Sequence, residues 1–182
     1  PSIGKGEEYS IKQVLKSKFF AYMAGVGKGL EFEKKFKKYV HSKNCVAVNS
    51  GTAALNLALS LLDIKNKEVI LPSLSFVATA HAVTLNGGKP VFADVDSETL
   101  CIDPKQIMKL ITKKTAAILP VHFAGIACNL NEISQICQEN NIKLIEDAAH
   151  AAGATYNNKK IGSHGMSVCF SFHPVKNLAM PT

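Results

Sequence analysis

Three short stretches carry side chains whose type and spacing can do chemistry. Ser50-Gly51-Thr52-Ala53-Ala54 follows an apolar run and opens a helical pattern. Gly51 lets a ligand approach the backbone and Thr52 adds a hydroxyl, so the helix start suits a phosphate. It equally suits a plain Ser N-cap followed by small packing residues. Glu146-Asp147-Ala148-Ala149-His150 ends an apolar strand in two carboxylates, with a His three residues after Asp147. A carboxylate there can pair with the protonated ring nitrogen of a heterocycle, and His150 can reach the neighbouring ring oxygen; a strand-end Asp also serves as a simple cap. Ser171-Phe172-His173-Pro174-Val175-Lys176 delivers a lysine just beyond an apolar strand. A partly desolvated amine in that position can act as a Schiff-base nucleophile, although a single Lys after a Pro turn reads most simply as solvent-facing.

The combination is more specific than its parts. Pyridoxal 5'-phosphate needs an anchor for its phosphate, a counter-anion for its pyridinium nitrogen and an amine for its aldehyde. Phe76, in the loop after the second strand, can cover the ring face, a contact worth ~1 kcal/mol. Two other phosphate loops fail. Gly25-Val26-Gly27-Lys28-Gly29 follows a helix, has Tyr22 five residues before Gly27 and Gly29 after Lys28, and puts Leu30 where a dinucleotide fingerprint needs its third glycine. A nicotinamide-dependent oxidoreductase is therefore disfavoured. The chain has no Arg, so any anion must be held by Lys, hydroxyls or backbone N–H groups.

These residues need a scaffold that brings residues 50, 147 and 176 to one edge. The first forty residues read as two amphipathic helices around a glycine-rich turn. Ile11, Val14, Leu15 and Phe19 form one apolar stripe, and Leu30, Phe36, Tyr39 and Val40 the other, with Glu31, Glu33, Lys34, Lys35, Lys37 and Lys38 on the polar face. From Asn44 the pattern changes to short apolar runs alternating with helical segments. Strands are predicted at 45–48, 68–71, 90–93, 116–121, 143–145 and 168–172. Helices are predicted at 51–62, 76–85, 104–112 and 131–140, and a hairpin around Asn157-Asn158. The fold class is α/β, a mostly parallel sheet with helices on both faces, which binds ligands beyond the carboxyl ends of its strands. The division expected is a helical segment over 1–43 and an α/β portion over 44–182.

Composition narrows the function classes. The 182 residues are 47% apolar and 19% charged, which supports a packed core. Ten of the 21 Lys lie within residues 1–43 and the rest of the chain is nearly neutral, so the Lys run reads as a solvated helix face and no nucleic-acid partner is expected. Cys45, Cys101, Cys128, Cys137 and Cys169 show no paired spacing, and the histidines at 41, 81, 122, 164 and 173 no metal-ligand spacing; reduced, mostly buried thiols and surface or supporting histidines are expected. No apolar run reaches the ~18 residues of a membrane span, and a cytoplasmic setting follows as the default.

The chain resembles the DegT/DnrJ/EryC1/StrS sugar aminotransferases, among fold-type I pyridoxal-phosphate enzymes. The resemblance runs through Leu30–Glu33, Asn49–Leu55, Leu71-Pro72 with Ser75–Ala80, Pro90–Val95, Pro120–His122 with Gly125, Glu146–Ala151 and Ser171–Asn177. It implies that Gly51, Thr52 and Ser171 bind the cofactor phosphate, that Phe76 stacks on the ring and that Asp147 keeps the ring nitrogen protonated. His150 stands where many members have Gln at the phenolic oxygen, and Lys176 holds the cofactor and moves the proton. A Lys here, where some relatives have His, implies transamination over dehydration. The implied partners are an amino-acid donor, a keto-sugar nucleotide and a second copy of the chain in a homodimer. The resemblance also implies a further C-terminal domain beyond Thr182, absent here, so 1–182 reads as the N-terminal part of such an enzyme, with a non-catalytic truncated homologue as the alternative.

Overall fold

A computed structural model describes residues 4–18, 27–164 and 167–179. Two helices come first, α1 (Lys5–Ser17) and α2 (Lys28–Val40). The α/β part follows as α3 (Gly51–Ser60), β1 (Glu68–Pro72), α4 (Val77–Leu85), β2 (Lys89–Ala93), α5 (Pro104–Leu110), β3 (Thr115–Ile118), α6 (Leu130–Glu139) and β4 (Lys143–Asp147). A two-residue-armed hairpin, β5 (Thr155–Tyr156) and β6 (Lys159–Lys160), precedes β7 (Ser167–Cys169). Phe19 of the first stripe and Gly25 of the glycine-rich turn lie outside the described residues.

The main sheet has the order β2-β1-β3-β4-β7 and every pairing in it is parallel. Its side chains alternate between two cores. Val69, Leu71, Ala117, Leu119 and Ile145 face Leu55 and Leu59 of α3 and Ala82 and Val83 of α4. Ile70, Ile118 and Leu144 face Ile107 of α5 and Ile133 and Ile136 of α6. Burial on both faces is why these strands read as unbroken apolar runs. The helix starts follow their caps: Ser50 accepts from Ala53 N–H, Asp103 from Lys105 N–H and Asn129 from Glu132 N–H. The hairpin turns on Asn157 and Asn158, both at positive φ, as the two-residue turn requires.

Two expectations fail. Residues 45–48 form no strand: the segment pairs with no strand among the described residues, Val46 and Val48 are exposed, and Ala47 N–H donates to the Glu33 carboxylate at 2.7 Å. Glu33 accordingly leaves the polar face assigned to it and is buried beside Phe36 on the inner face of α2. The Lys34, Lys35, Lys37 and Lys38 side of α2 is exposed, as expected of a solvated face. The four cysteines at 101, 128, 137 and 169 are buried free thiols, and Cys45 is half-buried.

The inner face of α2 reaches the strand that leads to Lys176. Phe32 and Phe36 stack at 5.5 Å, and Phe36 meets Phe170 and Phe172 edge-on at 5.0 and 5.2 Å. Because the chain passes from β1 to β2 on one side and then to β3 on the other, strand order reverses between β1 and β3. That is where an open parallel sheet leaves a crevice at its carboxyl edge.

Candidate cofactor site

Asp147 is the last residue of β4 and is held from every side. Its N–H donates to the Pro120 carbonyl at 2.9 Å and its own carbonyl accepts from His122 N–H at 3.0 Å. One carboxylate oxygen accepts from the Thr79 hydroxyl at 2.9 Å, the other from Ala149 N–H at 3.0 Å. The Ser75 hydroxyl donates in turn to Thr79 Oγ1 at 2.7 Å. Asp147 as a whole is 4% exposed, and burial pushes its carboxyl pKa up against the pull of those two donors. Among the described residues no Lys forms an ion pair with it. The site thus offers a shaped, hydrogen-bonded anion with no cation of its own, which a protonated heterocyclic nitrogen would supply.

One turn further, His150 lines an open cleft of about 340 Å³ with Phe123, Ala124, Val175, Lys176 and Asn177. Its ring meets Phe123 edge-on at 6.0 Å, and its Nδ1 is buried without a hydrogen-bond partner. Burial first, and then the positive charge of Lys176, push the imidazole below its usual pKa, so it is neutral at pH 7 and Nδ1 is open to a ligand. The turn carrying Lys176 is closed by Lys176 N–H donating to the His173 carbonyl at 2.8 Å. It is pinned by the Asn177 amide donating to the Ala152 carbonyl at 2.6 Å, two residues past His150. Lys176 and His150 therefore share one cleft, and the 147–150 turn joins Asp147 to it.

The phosphate end is separate but contiguous in the fold. A Cβ on Gly51 would stand 2.9 Å from Ser171 Cβ and 3.3 Å from the Phe170 carbonyl, so only glycine lets the start of α3 come this close to residues 170–171. Ser171 is buried and Thr52 is exposed on the first turn of α3. Phe76 caps α4 with its ring 70% exposed, and the Ser75–Thr79 bond ties that helix start to Asp147. Sequence reading missed Ser75, Thr79, Glu146 and Asn177 as supports. It left His122 as a surface or supporting residue, and the structure buries it fully.

The fit to pyridoxal phosphate is chemical. An unpaired buried carboxylate, an unpartnered imidazole nitrogen, a lysine in the same cleft and a glycine-tight helix start meet at the carboxyl edge of a parallel sheet. This is the class of α/β sheet found in pyridoxal-phosphate-dependent aminotransferases, which are its structural neighbours. The chain belongs to the DegT/DnrJ/EryC1/StrS aminotransferase family, whose sequence model matches residues 1–181. The spore coat polysaccharide biosynthesis protein SpsC of Bacillus subtilis is 42% identical over 180 residues, covering 98% of this chain and 46% of its own length. An aminotransferase structure from Psychrobacter cryohalolentis superposes with a TM-score of 0.94 at 37% identity, over 98% of this chain and 45% of that one. Spr1654 of Streptococcus pneumoniae, described as a sugar aminotransferase and solved in its PLP form, superposes at 0.89 with 31% identity, over 98% and 49%. The chain thus spans about half the length of the relatives it matches. No helix among the described residues is long and apolar enough to cross a membrane.

Proposed function

We propose that residues 1–182 are the cofactor-holding part of a pyridoxal-phosphate-dependent aminotransferase that moves an amino group from an amino acid to a keto-sugar nucleotide, in the making of a surface polysaccharide. The observation that carries this reading is a cation-free Asp147 carboxylate three residues before His150, whose open nitrogen shares one cleft with Lys176. The relatives' descriptions support the sugar as acceptor.

Gly51, Thr52 and Ser171 would hold the phosphate, Phe76 would cover the ring, Asp147 would bind its nitrogen and His150 its phenolic oxygen. Bound pyridoxal phosphate supplies an electron sink conjugated to the nitrogen being transferred. Asp147 keeps a proton on the ring nitrogen, and Thr79 and Ala149 keep the carboxylate aimed. Lys176 Nζ takes the proton released from the donor's Cα and returns one at the acceptor's carbon. His150 stays neutral beside the lysine and can hydrogen-bond without adding a like charge.

Borohydride reduction of the full-length protein followed by peptide mass analysis tests the assignment. A pyridoxyl mass on Lys176, and amino transfer to a 4-keto-6-deoxyhexose nucleotide, are expected. No adduct at Lys176 would leave an empty scaffold and end the reading.

A further inference from the structure

We infer that His122 is a positioning residue for this site, acting through Asp147 and the loop that walls the cleft; the inference rests on the cofactor assignment above. Its imidazole is completely buried, as is the Glu146 carboxylate it faces. Nδ1 accepts the Cys128 N–H at 3.1 Å, which leaves the ring proton on Nε2. Nε2–H therefore donates to Glu146 Oε2, also at 3.1 Å. The main-chain N–H of the same residue donates to the Asp147 carbonyl at 3.0 Å. One residue thus grips two consecutive positions at the end of β4 and closes the loop from 122 to 128 on itself.

That loop is the wall of the cleft. Phe123 and Ala124 line it, and Phe123 meets the His150 ring edge-on. Gly125, at φ +87°, lies where a Cβ would come within 3.3 Å of the His150 carbonyl. Moving the loop therefore moves the surface against His150, and releasing Glu146 frees the residue next to Asp147. Stability alone is a poor reason for the arrangement. Glu146 Oε1 is buried with no partner, and a buried carboxylate against an imidazole is commonly no better than well-packed apolar side chains. What the pair provides is direction: it sets where the Asp147–His150 turn stands relative to Lys176.

Two substitutions separate the bonds. Asn in place of His122 keeps an acceptor near Cys128 N–H and loses the donor to Glu146, whereas Gln keeps a donor that reaches Glu146. In the full-length protein, His122→Asn is expected to weaken pyridoxal-phosphate binding on the order of tenfold. It should also shift the visible absorption of the bound cofactor, with the cofactor-free fold intact by circular dichroism. His122→Gln should restore both readouts to within about twofold of the native protein. Asp147→Asn serves as the control for the underlying assignment. If the native protein binds the cofactor and Asp147→Asn weakens it while His122→Asn matches the native protein, the positioning role is overturned and the site assignment stands. Equal losses in the Asn and Gln variants, in step with a lowered melting temperature, would show a merely structural histidine and also overturn the role. Absence of cofactor binding by the native protein would sink the site assignment itself.

Discussion

Asp147 sets a conflict between binding and stability. Burial raises its pKa above 3.8, so the cofactor-free folded chain holds a proton that the unfolded chain has already released between that value and the raised one. Folded-state proton uptake exceeds that of the unfolded state in this window. Stability therefore falls as pH rises through it and stays lower up to neutrality. Asp147→Asn removes the charge and the slope. Calorimetry of the cofactor-free protein should show the variant more stable at pH 7, with the gap closing as pH falls toward 3.8, and it should retain little cofactor. A gap that does not change with pH would refute the ionisation account. Gly51 makes the opposite kind of case. Gly51→Ala puts a methyl group 2.9 Å from Ser171 Cβ, so a loss of roughly 1–3 kcal/mol in thermal unfolding is expected together with weaker phosphate retention. The residues that would touch the cofactor were legible because each follows an apolar run: 147 after 143–145, 176 after 168–172 and 51, at the start of a helix, after 45–48. Ser75 and Thr79 were not legible as supports, since their partner lies 68 positions away from Thr79 and no local period reports such a pairing.

At the scale of elements, α2 does more than flank the sheet. Phe36 is buried against Phe32, Tyr39, Phe170 and Phe172, and the last two bracket Ser171 on the way to Lys176. Phe36→Ala empties the centre of that cluster. It should cost roughly 3–4 kcal/mol in urea unfolding and lower the yield of borohydride-trapped adduct at Lys176. Unchanged trapping in a destabilised protein would show that the helix props the fold without aligning the lysine. The helices and parallel strands were readable from caps and period because those signals are local. Residues 45–48 misled because the four apolar residues match a buried strand in composition. Their geometry is set elsewhere, by Glu33, which reads as polar surface until its carboxylate is seen to satisfy the Ala47 N–H. A Glu at the register of Phe36 and Val40 is the one hint the sequence held, since positions 33, 36 and 40 share a helical face.

For the whole molecule, one group of the exposed apolar side chains falls on neighbouring elements. Leu57 on α3, Leu61 at its C-terminal cap, Phe76 at the N-terminal cap of α4 and Val77 and Leu85 within it stand open on two helices that pack on one side of the sheet; Val175 stands open at the lip of the cleft. A monomer rarely leaves so many large apolar groups on adjacent elements, whereas a standard interface of about 800 Å² per partner would cover them. A homodimer is the arrangement expected, and its coverage of Phe76 would shield the cofactor's ring face from water. Sedimentation of the full-length protein at micromolar concentration should give a dimer, insensitive to salt because the contact is apolar. Leu85→Asp, on an exposed position with no role in the site, should shift the equilibrium to monomer while leaving the monomer folded, and cofactor affinity should fall with it. A native protein that sediments as a monomer, or a Leu85→Asp dimer of native affinity, would show instead that these side chains are covered within the same chain.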